Sequence, residues 1–128
     1  MFKESNAFSS FSVKDVSSAR EFYSEVLGLT IEEPMGQLSL HLDGGGTVFL
    51  YEKPDHVPAV FTVLNFPVRN LKKAMDELTA KGLQFEHYNN DDIVTDEEGV
   101  FNGEGIKIAW FKDPSGNILS VLEEEGKA

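Results

Sequence analysis

The sequence contains an internal repeat, and this repeat limits the folds open to the chain more than any other feature. Apolar and turn residues of the first half recur in the second half about 55 positions later. The aligned pairs are Val13 with Val68, Asp15 with Asn70, Val16 with Leu71, Ala19 with Ala74, Tyr23 with Leu78 and, one position closer, Gly28 with Gly82. A repeat of this kind predicts two copies of one small structural unit in tandem.

The first copy has the pattern of a strand, a helix and three further strands. Residues 7–13 alternate as in a strand, and an apolar helical stripe follows and ends at Gly28. Ser18 and Glu21 fit a capping box, which predicts that the helix begins at Ser18. The three short strands are predicted at 29–33, 37–42 and 47–52.

The second copy repeats this order. A strand at 59–66 precedes a helix that begins after Asn70 and ends at Gly82, and a further strand is predicted at 83–88. The last two strands form a hairpin around the turn Asp113-Pro114-Ser115-Gly116-Asn117. In this turn Pro fixes φ, Gly tolerates a positive φ, and Asp and Asn bond to nearby backbone.

An acid-rich insertion at 89–105 interrupts the second copy. Insertions of this length in a compact domain are usually functional or disordered, so a flap over a binding cavity and a solvated surface loop are both consistent with it. The pattern as a whole predicts an α+β fold in a single domain, 1–128. Module one spans 7–52, a proline-containing linker spans 53–58, and module two spans 59–125.

Composition excludes several classes of function. The chain has no cysteine, so disulfides, thiolate catalysis and cysteine-ligated zinc are excluded. Its formal net charge of −11 argues against nucleic acid or an anionic membrane as a partner and is compatible with a cationic ligand. No signal peptide or membrane span is evident, so the protein is expected to be soluble and cytoplasmic.

Two segments resemble signatures of the vicinal oxygen chelate superfamily, which includes glyoxalase I, extradiol dioxygenases and bleomycin resistance proteins. Phe11–Leu29 is similar to its strand-to-helix signature, with Phe-Tyr and a closing Leu-Gly, and Phe111–Asn117 is similar to its Asp-Pro-x-Gly hairpin. The resemblance implies that the two tandem βαβββ modules form a curved mixed sheet around a central cavity, with the helices outside. Members of this superfamily commonly pair, so the resemblance also implies a homodimer.

The resemblance also provides a test for metal binding. Metal-dependent members hold an ion with His and Glu side chains, and these ligand positions correspond here to Phe8, Leu50, Val63 and Ser120. Phe, Leu and Val have no donor atom and Ser is a poor ligand, so no metal or other cofactor is expected. A displaced site built from His41, His56 or His87 is disfavoured, because no second His lies near any of them in the sequence. No catalytic residue is assigned.

Strand alternation predicts which residues line the cavity. The predicted ligand-binding residues are Phe8, Ser10, Leu50, Glu52, Phe61, Val63, Ile108, Trp110 and Ser120, and the same alternation adds Ser12 and Asn65. This set is apolar and aromatic with a few polar groups, as is typical of a small-molecule site, although the same residues could also fill a plain core.

These observations favour metal-independent binding or sequestration of a small, partly aromatic molecule, as in bleomycin resistance proteins, and the net charge is compatible with a cationic one. The alternative is an enzyme, a lyase, epimerase or dioxygenase of the same superfamily with relocated metal ligands. A third interpretation is an interaction protein that forms homodimers through exposed sheet edges.

Overall fold

A computed structural model describes residues 1–126 of the chain. The chain divides into two compact units, Met1–Pro58 and the remainder from Ala59 onwards. Within the described part, no helix combines the length and the apolar character that crossing a membrane requires.

The first unit contains four strands and one helix. Its elements are β1 (Ser9–Val13), α1 (Val16–Glu21) with a π-helical turn at Phe22–Val26, β2 (Thr30–Glu32), β3 (Leu38–His41) and β4 (Thr47–Glu52). The sheet has the order β1-β4-β3-β2, in which β1 and β4 run parallel and the other pairs run antiparallel. α1 packs against β4.

Helix α1 begins two residues earlier than the capping box predicted. Asp15 is the N-cap, and its carboxylate accepts hydrogen bonds from the backbone N–H groups of Ser17 and Ser18. The Ser18 hydroxyl also donates to this carboxylate, so it supports the cap rather than forming it. The predicted capping box is therefore wrong, because a carboxylate placed three residues upstream takes the free N–H groups first.

The second unit has the same order of elements. They are β5 (Thr62–Pro67), α2 (Leu71–Ala80), β6 (Val100–Asn102), β7 (Ile106–Lys112) and β8 (Ile118–Glu124). The sheet order is β5-β8-β7-β6, again with one parallel pair, β5 with β8, and two antiparallel pairs. The Asn70 side chain caps α2 by accepting from Lys73 N–H, and Gly82 follows the helix with a φ of 94°.

The strand predicted at 83–88 does not form as a regular strand. Glu86 N–H donates to the Trp110 carbonyl at 2.8 Å, but the second strand of the unit is β6, which lies inside the acid-rich insertion and pairs with β7. Residues 83–88 lie beside β7 and bond to it through Glu86 N–H, but they do not form a regular ladder with it.

The hairpin between β7 and β8 forms as predicted. Gly116 has a φ of 84°, and Gly116 N–H donates to the Asp113 carbonyl while Asp113 N–H donates to the Asn117 carbonyl, both at 3.0 Å. The α+β class and the two tandem βαβββ units are confirmed: each unit is a mixed four-stranded sheet with one helix.

Candidate functional site

One glutamate near the end of the last strand of each unit shows which face of the sheet the helix covers. Glu52 Oε1 accepts from Val16 N–H at 3.0 Å, at the start of α1. Glu123 Oε1 accepts from Leu71 N–H at 2.8 Å, at the start of α2. Each carboxylate therefore lies at the positive end of its own helix, where a negative charge is stabilised. In each unit we call the opposite face of the sheet, which the helix of that unit does not cover, the open face.

Two of the predicted pocket residues lie on the helix side of the first unit. Leu50 pairs with Phe11 and with Leu38 in register, shares its face with Glu52, and is 0% exposed. Glu52 is engaged in capping α1. The prediction that Leu50 and Glu52 share a face with Phe8 and Ser10 is therefore wrong. Both faces of β4 are apolar, so its alternation alone cannot tell which face is covered.

The open face of the first unit instead carries the alternate residues of the same strands. Ser10 and Ser12 lie beside Phe49 and Tyr51 in register, and the rings of Phe49 and Tyr51 stack at 6.2 Å. Phe8 directly precedes β1 and is exposed. The hydroxyl of Ser12 and Nδ1 of His56 are 2.6 Å apart.

A row of side chains crosses the open face of the second unit. Asn65, Ser120 and Trp110 are register neighbours on β5, β8 and β7. Ser120 Oγ donates to Asn65 Oδ1 at 2.5 Å. Ile108 follows Trp110 on the same face of β7. Three predicted site residues, Ile108, Trp110 and Ser120, are therefore brought together as expected from alternation.

The Trp110 ring is held from several sides. Its indole Nε1–H donates to Thr62 Oγ1 at 3.1 Å. The Tyr88 ring meets it edge to face at 5.6 Å, and the Phe101 ring lies tilted at 6.3 Å. With 8% of its surface exposed, Trp110 forms the base of a small aromatic cluster that also contains Tyr88 and Phe101.

A β-bulge changes which residues of β5 lie on this face. The register with β8 shifts between Thr62 and Leu64, so one extra residue, Val63, is accommodated there. As a result Thr62, and not Val63, lies opposite Ile118 and faces Trp110. Phe61 lies before β5 and is exposed, and Val63 lies in the bulge, half-buried. The prediction that Phe61, Val63 and Asn65 share one face is therefore correct for Asn65 and wrong before it, because Thr62 takes the position predicted for Val63.

Sequence reasoning missed Tyr88 and Phe101. Both lie outside the strands used to predict the pocket, in the segment before the insertion and within it. Partial burial raises the pKa of the Tyr88 hydroxyl, and the negative charge of Glu86 adds to this. Tyr88 therefore stays protonated and neutral at physiological pH. The sequence signal that could have identified Tyr88 is its strand-like spacing of two residues from Glu86.

The acid-rich insertion is held by local hydrogen bonds. Asn89 and Val94 form an isolated bridge, and the Asn90 side-chain oxygen accepts from Ile93 N–H. Asp96 Oδ1 accepts from the N–H groups of Glu98 and Val100, both at 2.9 Å. These backbone bonds, led by that from Val100, hold the pKa of the Asp96 carboxyl below its usual range.

This arrangement predicts an acid-sensitive turn. Because the pKa of Asp96 is lower in the folded chain than in the unfolded chain, ionised Asp96 stabilises the turn at neutral pH. That contribution is lost as the pH falls from about 3.9, the ordinary value for Asp, through the lower folded value. We expect the amide resonances of Glu98 and Val100 to titrate together with a midpoint below the ordinary value. An Asp96→Asn variant should show no such titration. A midpoint at or above the ordinary value would contradict the assignment.

The donor set does not fit a metal ion. Of the four positions implied by the family resemblance, Phe8, Leu50 and Val63 carry no donor atom, and the Ser120 hydroxyl is bonded to Asn65. Within either unit of the described chain, no three His, Asp or Glu side chains converge as metal ligands would. His41 Nε2 lies 2.9 Å from Glu32 Oε1, but these two groups form only a pair.

A cleft of about 430 Å³ lies on the helix side of the second unit, near the start of α2. Its lining carries both signs of charge, including Arg69 and Lys107 as well as Glu98 and Glu123. None of the predicted site residues lines it. The aromatic cluster lies on the other face of the sheet.

Comparison with known proteins extends these observations. Three solved structures of similar fold are a putative glyoxalase family protein from Bacillus anthracis, a lactoylglutathione lyase from Agrobacterium tumefaciens and a glyoxalase/dioxygenase from Nostoc punctiforme. Sequence identities are 17%, 18% and 15%, and TM-scores are 0.67, 0.65 and 0.67. The matches cover 93%, 91% and 94% of this chain and 95%, 90% and 91% of the respective structures. At these identities the likeness shows the fold alone.

The sequence itself decides the family. No curated protein is significantly similar to the chain. A sequence model of one family, however, matches residues 8–121, which include both signature segments and most of each unit. The chain is therefore a member of the Glyoxalase/Bleomycin resistance protein/Dioxygenase superfamily.

Proposed function

We propose that the protein binds a small, partly aromatic molecule on the open face of its second unit, without a metal ion and without chemical conversion. The observation that carries this proposal is the aromatic cluster. The indole of Trp110 is fixed through its N–H to Thr62 and flanked by Tyr88 and Phe101, beside the polar pair of Ser120 and Asn65. Apolar surface with a few convergent polar groups is typical of small-molecule sites.

A positive charge on the ligand is favoured by the electrostatics. The formal net charge is −11, so the field of the protein concentrates cations at its surface. A cation over the face of Trp or Tyr gains about 0.5 to 2 kcal/mol, depending on its desolvation. The carboxylate of Glu86, whose charge adds to the rise in the pKa of Tyr88, forms an ion pair with Lys112 at 3.6 Å, so the attraction for a cation comes from the net charge of the whole chain.

Two features support binding over metal-dependent catalysis. The positions that correspond to family ligands carry side chains without suitable donors. The carboxylate that a relocated site would have used, Glu52, is engaged in capping α1. The superfamily contains both enzymes and binding proteins, so the choice between them depends on the site and not on the fold.

Tryptophan fluorescence tests the proposal directly, because Trp110 is the single tryptophan of the chain. We expect benzyltrimethylammonium or N-methylquinolinium to change Trp110 emission in low salt and to raise the melting temperature. A ligand at 100 times its Kd stabilises the folded state by about 2.7 kcal/mol, a shift of several degrees for a chain of this size. Neutral analogues of the same shape should bind more weakly.

A matched pair of variants serves as the control. Phe101→Ala removes one ring of the cluster and should weaken binding, whereas Phe2→Ala removes an exposed ring of the first unit and should not. No response to any aromatic cation, or stoichiometric zinc, nickel, manganese or iron in the purified protein that is lost on mutating His41 or Glu52, would overturn the proposal.

Two further expectations stand as part of this proposal. We infer a cytoplasmic location and a homodimeric state, as the family resemblance implies. Analytical ultracentrifugation at several protein concentrations tests the second of these, and a monomer at all of them would overturn it.

A further inference from the structure

The amide of Asn65 occupies a distinctive position on the open face of the second unit. It lies on β5, an edge strand of its sheet, and is exposed to solvent. Its register neighbour Ser120 is 0% exposed, and Trp110 follows as the next residue in the row. The exposed amide of Asn65 is therefore separated from the aromatic cluster only by the buried hydroxyl of Ser120.

The hydrogen bonds of Asn65 leave one end of its amide available to a ligand. Ser120 Oγ donates to Asn65 Oδ1 at 2.5 Å, so the amide oxygen is engaged and the Nδ2 group is directed away from Ser120. An amide NH2 group has two donor hydrogens. Among residues 1–126 the Asn65 Nδ2 group has no hydrogen-bond partner.

We propose that Asn65 is a specificity-determining residue that selects ligands with a hydrogen-bond acceptor next to their aromatic ring. This inference rests on the proposed function, and it narrows the ligand to aromatic compounds, cationic ones included, that carry an uncharged acceptor such as an amide or ketone oxygen beside the ring. The Nδ2 group donates to the acceptor while the ring packs against the Trp110 cluster. A ligand without an acceptor leaves the covered N–H groups unpaired, which disfavours its binding.

Ser120 has a different part in the same arrangement. It is a positioning residue, because its hydroxyl holds the amide oxygen and so fixes the orientation of the Nδ2 group. Because Ser120 is fully buried, it acts on the ligand through Asn65 and not by direct contact. Its removal should reduce the preference for an acceptor without removing the binding of the ring.

The test uses two probes of similar size, benzamide, which carries a carbonyl acceptor, and benzylamine, which carries an ammonium and no acceptor. The variant is Asn65→Asp, which has nearly the same shape, keeps an acceptor for Ser120 and loses both donors. We expect benzamide to bind about tenfold more weakly to this variant, the equivalent of one hydrogen bond. Benzylamine should bind at least as well as before.

Nuclear magnetic resonance provides a direct measurement. Benzamide should shift the side-chain NH2 resonances of Asn65 in the natural sequence, and benzylamine should not. In Ser120→Ala, benzamide should bind more weakly while benzylamine binds as before and Trp110 fluorescence still responds to both. A backbone amide spectrum close to that of the natural sequence establishes that each variant is folded.

The outcomes separate the two proposals. If both probes change Trp110 fluorescence but the Asn65→Asp substitution leaves benzamide affinity unchanged, the role of Asn65 is refuted and the binding function stands. If neither these probes nor the aromatic cations change Trp110 fluorescence, both proposals are refuted. Equal shifts of the Asn65 NH2 resonances by both probes would also refute selection by an acceptor.

Discussion

Replacing Leu50 by Ala is expected to lower the free energy of unfolding by about 3 kcal/mol, within the range measured for buried Leu-to-Ala changes. Leu50 is 0% exposed and lies in register with Leu38 on the α1 face of the first sheet. Truncating it removes buried apolar surface and leaves a cavity that a well-packed core cannot close. Urea unfolding followed by circular dichroism measures the loss.

The neighbouring position provides the matched control. Phe49→Ala removes a larger side chain from the open face, where Phe49 is only half-buried, and should cost less than Leu50→Ala. Neither change lies in the second unit, so Trp110 fluorescence should respond to ligands as before in any variant that folds. A Leu50→Ala protein that unfolds like the natural sequence would show that this face of β4 is not core.

Replacing Asp113 by Ala is expected to cost about 3 kcal/mol or more, because buried polar groups would be left without partners. Asp113 is 4% exposed, and its carboxylate accepts hydrogen bonds from several donors in the β7–β8 turn. The donors include the N–H groups of Ser115 and Asn117 and the Asn117 side-chain amide. Thermal unfolding measures the loss.

An isosteric variant separates the bonds from the shape. Asp113→Asn keeps one oxygen for the backbone donors but directs an NH2 group at the Asn117 NH2 group, so it should destabilise by an intermediate amount. Hydrogen exchange at Ser115 and Asn117 should accelerate in both variants. Unchanged exchange at these amides, together with unchanged stability, would mean that backbone geometry alone holds the turn.

The sequence predicts the elements best where a local physical signal is strong. The β7–β8 hairpin follows from strand alternation on both sides of a turn that needs a positive φ at Gly116. The second helix follows from Asn70 and Gly82, since a capping side chain and a residue with positive φ define its two ends. The duplication then orders these elements into two similar units.

The face assignments could not be predicted in the same way. Both faces of β4 carry apolar residues, so the covered face becomes evident only in the structure, from the burial of Leu50 and the bond from Val16 N–H to Glu52. A single carboxylate in an apolar strand looks like a functional group in the sequence, yet here it caps a helix that begins 36 residues earlier. Contacts between residues so far apart leave no periodic trace in the sequence.

The aromatic cluster also could be predicted only in part from sequence periodicity. Trp110 and Ser120 follow from alternation within strands, but Tyr88 and Phe101 lie in irregular or inserted segments. Thr62 reaches the indole only because the register with β8 shifts next to it. Short-range patterns predict strands, whereas the partners that complete the site depend on how distant segments meet.

The irregularity at Val63 also bears on how this surface can tolerate a change in chain length. Loss of that one residue would leave Thr62 opposite Ile118 and Leu64 opposite Leu119, so the ladder would become regular while the threonine hydroxyl still accepts from the indole N–H. The strand from Leu64 onwards would keep its neighbours. A single codon deletion at Val63 could thus be accepted without exchanging the polar contact to the indole, whereas the same deletion at a paired residue of β5 would move every residue before it to the opposite face.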